Sequence, residues 1–406
     1  MGKISKEVLG YISKVEADYK NESAYYNFGL TRFGPFLYGY TKWLHDSISK
    51  SGCKKVFFFS RDGYMMKKAF DRINGDDSIA TEYVYFSRKS IRGALIHYTN
   101  NYEESLKYLS WQRYVSFGTI LEYYGFSESE RESISHQFKI KLDEYFPYES
   151  LKSNDELKNI YVSLNSQINK HSKEQDALLE RYLSQIDMNG MCSIVDIGWH
   201  GTMQSNLEEY AKLKRLDLNV LGYYVGINPV KSVIGAVNGY IYNPNDLKMR
   251  KDMLCFFGIC EKFFQSLEGS TTGYKLIKGV VVPDLTEYEL AHDAESINCI
   301  KEWQDGALKF VDLACSGKFD VINVRDWALP LVRFGKQPTL ADIRLFKKLY
   351  NVDGNREYYV AQKPLSKYKP GELKMVLSNS PWKTGFMKSV FIVPFPYFWI
   401  YRLLGK

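Results

Sequence analysis

Three short apolar runs, each closing on a charged or glycine-bearing turn, constrain this chain more than any other feature. The first is Lys54-Lys55-Val56-Phe57-Phe58-Phe59, closed by Ser60-Arg61-Asp62-Gly63. The second is Glu82-Tyr83-Val84-Tyr85-Phe86, closed by Ser87-Arg88-Lys89. The third is Cys192-Ser193-Ile194-Val195, followed at once by Asp196-Ile197-Gly198-Trp199-His200-Gly201-Thr202. Runs this short and this apolar suit central strands of a sheet covered on both faces. Helical patterning follows the first run over 64–73 and the third over 203–213, and a fourth apolar run lies at 220–225. Strand, helix and strand at that spacing form a βαβ unit and a parallel sheet. The expected fold class is therefore α/β.

Residues 1–50 read as helical. A long polar stretch over 103–188, rich in Glu, Lys, Ser and Tyr, interrupts the strand rhythm and reads as an inserted helical subdomain. After Pro229 the pattern loosens, with strand-like pieces near 239–242 and 279–282 and helices expected at 291–313 and 340–349. The expected organisation is a sheet core of 1–102 and 189–285, a helical insertion of 103–188 on the acceptor side, a helical region of 286–380, and a tail of 381–406. Tyr108, Trp111, Tyr114, Tyr123 and Tyr124 of the insertion offer rings for sugar stacking or for plain packing.

At 45% apolar and 25% charged residues, the 406-residue chain is neither disordered nor a small disulfide scaffold. Its six cysteines lack metal spacing, which points to reduced thiols in a cytoplasmic protein. Residues 1–20 are polar and show no signal-peptide core. Residues 361–406 carry eight basic residues and one acid, so the whole net charge of +7 sits there and the rest is formally neutral. That asymmetry argues against nucleic acid and for an anionic partner at the C-terminal end. Within it, 388–404 is apolar and aromatic but broken by Pro394 and Pro396. It falls short of the ~20 residues a spanning helix needs. Its Trp, Tyr and Lys content suits a membrane interface, and packing on the core is the alternative. Removing the chain after Ser380 is expected to reduce membrane recovery without abolishing activity on a soluble acceptor.

In a parallel sheet the three turns fall on one edge. Arg61, Arg88 and Lys89 then converge near Gly198 and Gly201, where a helix N-terminus can face an anion. Arginine forks and a lysine suit a diphosphate. Thr202 can cap the helix or bond a phosphate oxygen, and His200 can donate to one. Asp62 and Asp196 suit ribose hydroxyls or Mg²⁺. An ordinary strand-to-helix turn is the plainer reading of each segment taken singly.

The order of these segments resembles the phosphoribosyltransferases that use phosphoribosyl diphosphate. Asp196 matches the second acid of that family's acidic pair, and Gly201 the glycine of its phosphate loop. Val195 stands at the first acid, His200 at the first loop threonine and Met203 at the second, and the short hood is absent. These departures argue against a nucleobase acceptor. The whole chain, over most of 28–350, looks closer to a divergent branch that serves bacterial surface-polysaccharide assembly. The segments that carry this likeness are Phe59 to Gly63, Tyr85 to Arg88, Val195 to Thr202 with Gln204, and Glu268-Gly269-Ser270. The resemblance implies transfer of ribose 5-phosphate from phosphoribosyl diphosphate to a lipid-linked glycan acceptor, releasing diphosphate with Mg²⁺. It also implies a separate phosphatase acting on the product, and a peripheral place at the inner face of the cytoplasmic membrane. Candidate catalytic carboxylates are then Asp62, Asp196, Glu261 and Glu268. Ser60, Arg61, Gly63, Arg88, Lys89, Gly198, His200, Gly201, Thr202 and Gln204 are the candidate donor-binding residues, and Mg²⁺ is expected on Asp62 or Asp196.

Two other readings compete. Phe57 to Gly63 also resembles the first motif of haloacid-dehalogenase phosphatases, with Ser60 at the nucleophilic aspartate and Ser87 as a second motif. Without that carboxylate no phospho-aspartyl intermediate can form. A non-catalytic, membrane-associated scaffold is the other alternative, and it predicts no ligand at the Asp196 segment.

Overall fold

Phe57, Phe58 and Phe59 are all buried, and they divide between the two sides of one sheet. Val56 and Phe58 share a core with Met65, Ala69 and Phe70, whereas Phe57 and Phe59 share one with Ile194, Leu207 and Tyr182. That two-sided burial explains the unbroken apolar run. The computed structural model describes residues 4–75, 79–230, 232–317, 323–353, 355–393 and 395–404. Pro394 and Lys406, both used in reading the tail, lie outside the described residues.

The strands are β1 (Lys55–Phe59), β2 (Ala80–Val84), β3 (Gly190–Trp199), β4 (Leu218–Ile227) and β5 (Val237–Tyr242). They form one parallel sheet in the order β2-β1-β3-β4-β5. The α/β expectation holds. The chain moves outward from β1 to β2 and then returns to place β3 on the other side of β1. The sheet therefore has a switch point between β1 and β3, where α/β sheets open a crevice at their strand ends.

Helix α1 (Gly34–Ser51) and α2 (Gly63–Asn74) cover one face. On the other lie α3 (Arg88–Leu95), the 31-residue α4 (Asp155–Gln185) and α5 (Thr202–Lys214). The stretch expected as a helical insertion is mostly helical, with one antiparallel ribbon pairing Val115 with Phe146. It shares the sheet's core: Ile160, Tyr161 and Leu164 belong to the same cluster as Phe57. Asp176 of α4 ties it to α5, accepting from Tyr210 at 2.7 Å and lying 3.3 Å from Lys214.

Three expectations on secondary structure change. The strand-like piece near 279–282 belongs to an antiparallel hairpin outside the main sheet, β6 (Thr271–Ile277) with β7 (Val280–Leu285). Gln175 and Gln185 of α4 satisfy its backbone, taking the Tyr274 and Val281 N–H groups at 2.9 Å each. The helix expected to reach 349 stops at Leu345, and a short strand Tyr350–Asp353 follows. Ser87-Arg88-Lys89 is not a free turn. Ser87 caps α3 with a reciprocal Ser87–Ser90 capping box, so Arg88 and Lys89 are its first residues.

The C-terminal part is largely helical: α6 (Phe257–Phe264), α7 (Ala294–Ser316), α8 (Lys383–Phe391) and α9 (Tyr397–Leu404). It joins the first core rather than building its own, since Phe263, Trp303, Trp382 and Phe398 cluster with Val56 and Phe58. Among the described residues, no helix is long and apolar enough to cross a membrane.

Candidate active site

A pocket of about 750 Å³ opens at the carboxyl ends of β1 and β3, the switch point of the sheet. Ser60, Arg61 and Asp62 come from β1's end, Ser87 and Arg88 from the start of α3, and Asp196 to His200 with Thr202 from β3 and α5. Glu261 reaches in from α6, Ser270 and Thr271 from the hairpin, and Lys383 and Tyr401 from the C-terminal helices.

The Asp196 segment differs from its sequence reading. The strand does not stop on Asp196. It continues to Trp199, with Gly198 beside Gly226 and Trp199 beside Ile227. Gly198 makes this possible: its φ is +106°, and a Cβ there would stand 2.4 Å from the Gly226 carbonyl oxygen. Trp199 follows with φ +64°, an uncommon conformation for a bulky residue. Its carbonyl accepts from Asn228 at 3.1 Å, its ring stacks on Tyr242, and its indole N–H donates to Glu261 at 2.6 Å. The broad loop expected over 198–202 therefore reduces to His200 and Gly201. Gly201, not Thr202, is the N-cap of α5 (φ +61°), and it supplies no side-chain cap. Thr202 is the first helical residue and lines the pocket, so the uncapped N-terminal turn of α5 begins there.

Three carboxylates share the pocket: Asp62, Asp196 and Glu261. Each is only partly exposed. Burial raises all three above the ordinary carboxylate range. Asp196 is pushed up to about 7 by burial and then by the Asp62 charge, and Glu261 to about 8 by burial, Asp62 and Asp196. Asp62 is raised by burial, against the opposing pull of Arg61, Gln265, Lys262 and Arg88. Its Oδ1 is buried without a hydrogen-bond partner. The three cannot all ionise freely side by side in a partly desolvated space.

The cations divide into two groups. Arg61 lines the pocket, but its fork is engaged: Glu289 at 2.5 Å, Ser270 at 2.8 Å and Gln265 at 3.2 Å. Lys262, buried and lowered by burial, meets the same Glu289 at 2.8 Å. Arg61 also carries φ +69°, with its N–H donating to Tyr83 Oη at 2.8 Å. The Arg88 side chain, by contrast, is exposed and makes no hydrogen bond or ion pair among the described residues. Its charge reaches Asp62, Asp196 and Glu261. Lys383 stands at the pocket wall, its ammonium bonded to the Ser378 and Ser380 carbonyls and lowered to about 8 by burial.

Of the residues singled out from sequence, the pocket gathers Ser60, Arg61, Asp62, Arg88, Asp196, Gly198, His200, Thr202 and Glu261. The others stand elsewhere. Lys89 turns into an adjoining groove and pairs with Glu122 at 2.6 Å, so it does not converge with Arg61 and Arg88. Glu268 is bound by Tyr83, by Ser266 at 2.8 Å and by Tyr85 at 3.3 Å, and acts as a support behind Arg61. Gln204 is fully buried in the α5 packing, bonded to Glu208 at 2.8 Å and to Tyr224 at 2.7 Å. Gly63 is a packing position against Phe58, and Gly201 acts through the α5 cap. Of the insertion rings, Tyr108 and Tyr123 line the adjoining groove, Tyr124 is buried, and Trp111 and Tyr114 are exposed.

Sequence reasoning missed Gln265, Lys383 and Tyr401, which line the pocket, and Glu289, which holds Arg61 and Lys262. Nothing in their local sequence marks them, because tertiary packing alone brings them into place. A scan of protein-family models finds no match to the chain, and a search of curated proteins finds none either.

Proposed function

We propose that the pocket binds phosphoribosyl diphosphate and transfers its ribose 5-phosphate to a glycan hydroxyl. The observation that carries this reading is one pocket at the switch point holding Asp62, Asp196 and Glu261 opposite an unpaired Arg88 and the uncapped N-terminus of α5. Anionic phosphates suit Arg88 and the helix end. The carboxylates suit a cation and a polar sugar.

Among the described residues, no three His, Cys, Asp or Glu side chains form a ready-made metal site. Mg²⁺ needs fewer, since it keeps several waters and binds through one or two carboxylates plus substrate phosphates. Asp62, with its partnerless Oδ1, and Asp196 fit that donor set. When bound there, Mg²⁺ would supply charge neutralisation to the departing diphosphate.

In the proposed step the bond from the anomeric carbon to diphosphate breaks as the bond to the acceptor oxygen forms. Glu261, in its ionised form, takes the acceptor proton. Arg88 and the α5 N-terminus hold the phosphates of the donor. Asp62 and Asp196 orient the ribose end. His200 and Thr202 stand where they can donate to phosphate oxygens. The expected partners remain a lipid-linked glycan and a separate phosphatase that removes the 5-phosphate. The place proposed for the chain is peripheral, at the inner face of the cytoplasmic membrane.

Calorimetric titration of phosphoribosyl diphosphate with Mg²⁺ tests the donor assignment. Wild type is expected to bind, and Asp196→Asn to bind at least ~10-fold more weakly, a loss of about 1.4 kcal/mol. No binding by folded wild type would overturn the reading.

One observation favours a second reading, phosphoryl transfer: Ser60, Asp62, Ser87 and Asp196 all face the same pocket. Ser60 donates to the Phe86 carbonyl at 3.1 Å, and no carboxylate stands in its place. Hydrolysis of p-nitrophenyl phosphate above background, lost in Asp62→Asn, would favour it.

A further inference from the structure

The last two helices have two different faces. On α9 the residues Phe398 and Tyr401 turn inward, three apart, and Tyr401 lines the pocket. Trp399 and Leu403, four apart, turn outward and are 58% and 79% exposed. The end of α8 and the turn after it add Phe391, Ile392, Val393 and Phe395, every one of them exposed. Scattered exposed apolar residues are ordinary, but six within thirteen positions form an edge.

Ile392 makes the edge harder to dismiss. It sits at the C-cap of α8 with φ +58°, a conformation where glycine is favoured and a β-branched residue is strained. The chain keeps a large apolar side chain there, and 64% of it faces solvent. Packing gains little from that choice. Charge supplies the second argument. No acidic residue occurs between Leu373 and the end of the chain, while Lys388 and Arg402 flank the edge and Arg402 lies over the Trp399 ring. An aromatic and aliphatic edge within a field of positive charge complements an anionic lipid surface.

We propose that this edge seats the protein on an anionic bilayer. The pocket then opens beside that surface, because the same two helices supply Lys383 and Tyr401 to its wall. The pocket rim also carries Leu254 and the partly exposed Phe257. Lipid seating stands independently of the donor chemistry. Only its consequence, that an acceptor borne on lipid enters from the membrane side, rests on the proposed function.

The test is co-sedimentation of the full chain with vesicles of phosphatidylglycerol and phosphatidylcholine in equal parts. Wild type should pellet, and pure phosphatidylcholine should retain less. Trp399→Ser with Leu403→Ser should lower the bound fraction roughly fivefold, whereas Ile234→Ser, an exposed apolar residue elsewhere, should not. Ile392→Gly should weaken vesicle binding while raising the melting temperature, a pairing that a purely structural role does not produce. Folded wild type that fails to pellet, or variants that pellet equally, would overturn the proposal. So would a dimer, dissolved by the same substitutions, which would assign the edge to a second copy. Donor binding measured on the same samples keeps the two readings apart: pelleting without donor binding removes the proposed function and leaves the seat.

Discussion

Arg61 and Arg88 follow neighbouring strands and look equivalent in sequence, but their surroundings separate their roles. Arg61 is bound to Glu289, Ser270 and Gln265, and Glu289 is shared with the buried Lys262. Breaking a buried, hydrogen-bonded charge pair leaves its partner uncompensated. Arg61→Met is therefore expected to destabilise the fold by about 3 kcal/mol, read from urea unfolding. Arg88→Ala should leave unfolding unchanged and weaken donor binding at least ~10-fold. Equal losses of stability in the two variants would refute this division. Sequence could place both arginines on one edge of the sheet. It could not show that one is already engaged, because Glu289 lies far along the chain.

Glu261 gives a prediction in pH. Its carboxyl is raised from 4.5 to about 8, chiefly by burial. Between those values the folded chain keeps a proton that the unfolded chain has released, so stability falls as pH rises. The contribution is full below about pH 4.5, declines through the window, and levels off above about pH 8. Glu261→Gln keeps the shape and removes the titration. In the absence of ligand its stability relative to wild type should grow from pH 5 to pH 8, as urea midpoints at both values will show. A constant difference would mean that burial does not hold the proton. The position was legible as a candidate acid, but the Trp199 N–H that fixes its orientation was not.

At the scale of elements, β3 shows where sequence patterning stops informing. Cys192 to Val195 reads as strand because the run is apolar and buried on both faces. Its continuation through Asp196, Gly198 and Trp199 breaks that pattern with a charge, a glycine and a positive φ, yet pairing with β4 persists to Ile227. Pairing with β4, not local preference, holds those residues in the sheet. Gly198→Ala would meet the Gly226 carbonyl at 2.4 Å in a disfavoured φ. The expected cost is about 2 kcal/mol, with a changed near-ultraviolet dichroism as the Trp199 ring shifts. Near wild-type stability would mean that the strand end yields freely. Local pattern gives Ser87-Arg88-Lys89 only as a turn that closes a strand, and the fold shows Ser87 capping α3 with Ser90. The long interruption before β3 concealed which side of β1 the third strand would occupy.

At the scale of the whole molecule, the C-terminal segment changes most between sequence and structure. Its composition, basic and aromatic after residue 361, suggested a tail that could be removed after Ser380. A ring reads the same in sequence whether it faces lipid, solvent or core, so composition could not sort these residues. The fold sorts them. Trp382 is fully buried, its ring centroid 4.6 Å from that of Phe334, with its indole N–H donating to the Gly335 carbonyl at 2.9 Å. The Lys383 N–H bonds the Cys255 carbonyl at 2.9 Å, and Lys336 lies 4.3 Å from the Phe398 ring. Truncation after Ser380 would therefore open the core at Phe334 and Phe346 and remove Lys383 and Tyr401 from the pocket lining. Trp382→Ala alone is expected to cost about 3–5 kcal/mol, a large share of a typical domain's stability. The truncated chain should accordingly lose its cooperative thermal transition, whereas Trp399→Ser with Leu403→Ser, which touches only the outward edge, should keep it. A truncated chain that melts like wild type and still binds donor would restore the separable tail and detach the membrane edge from the site.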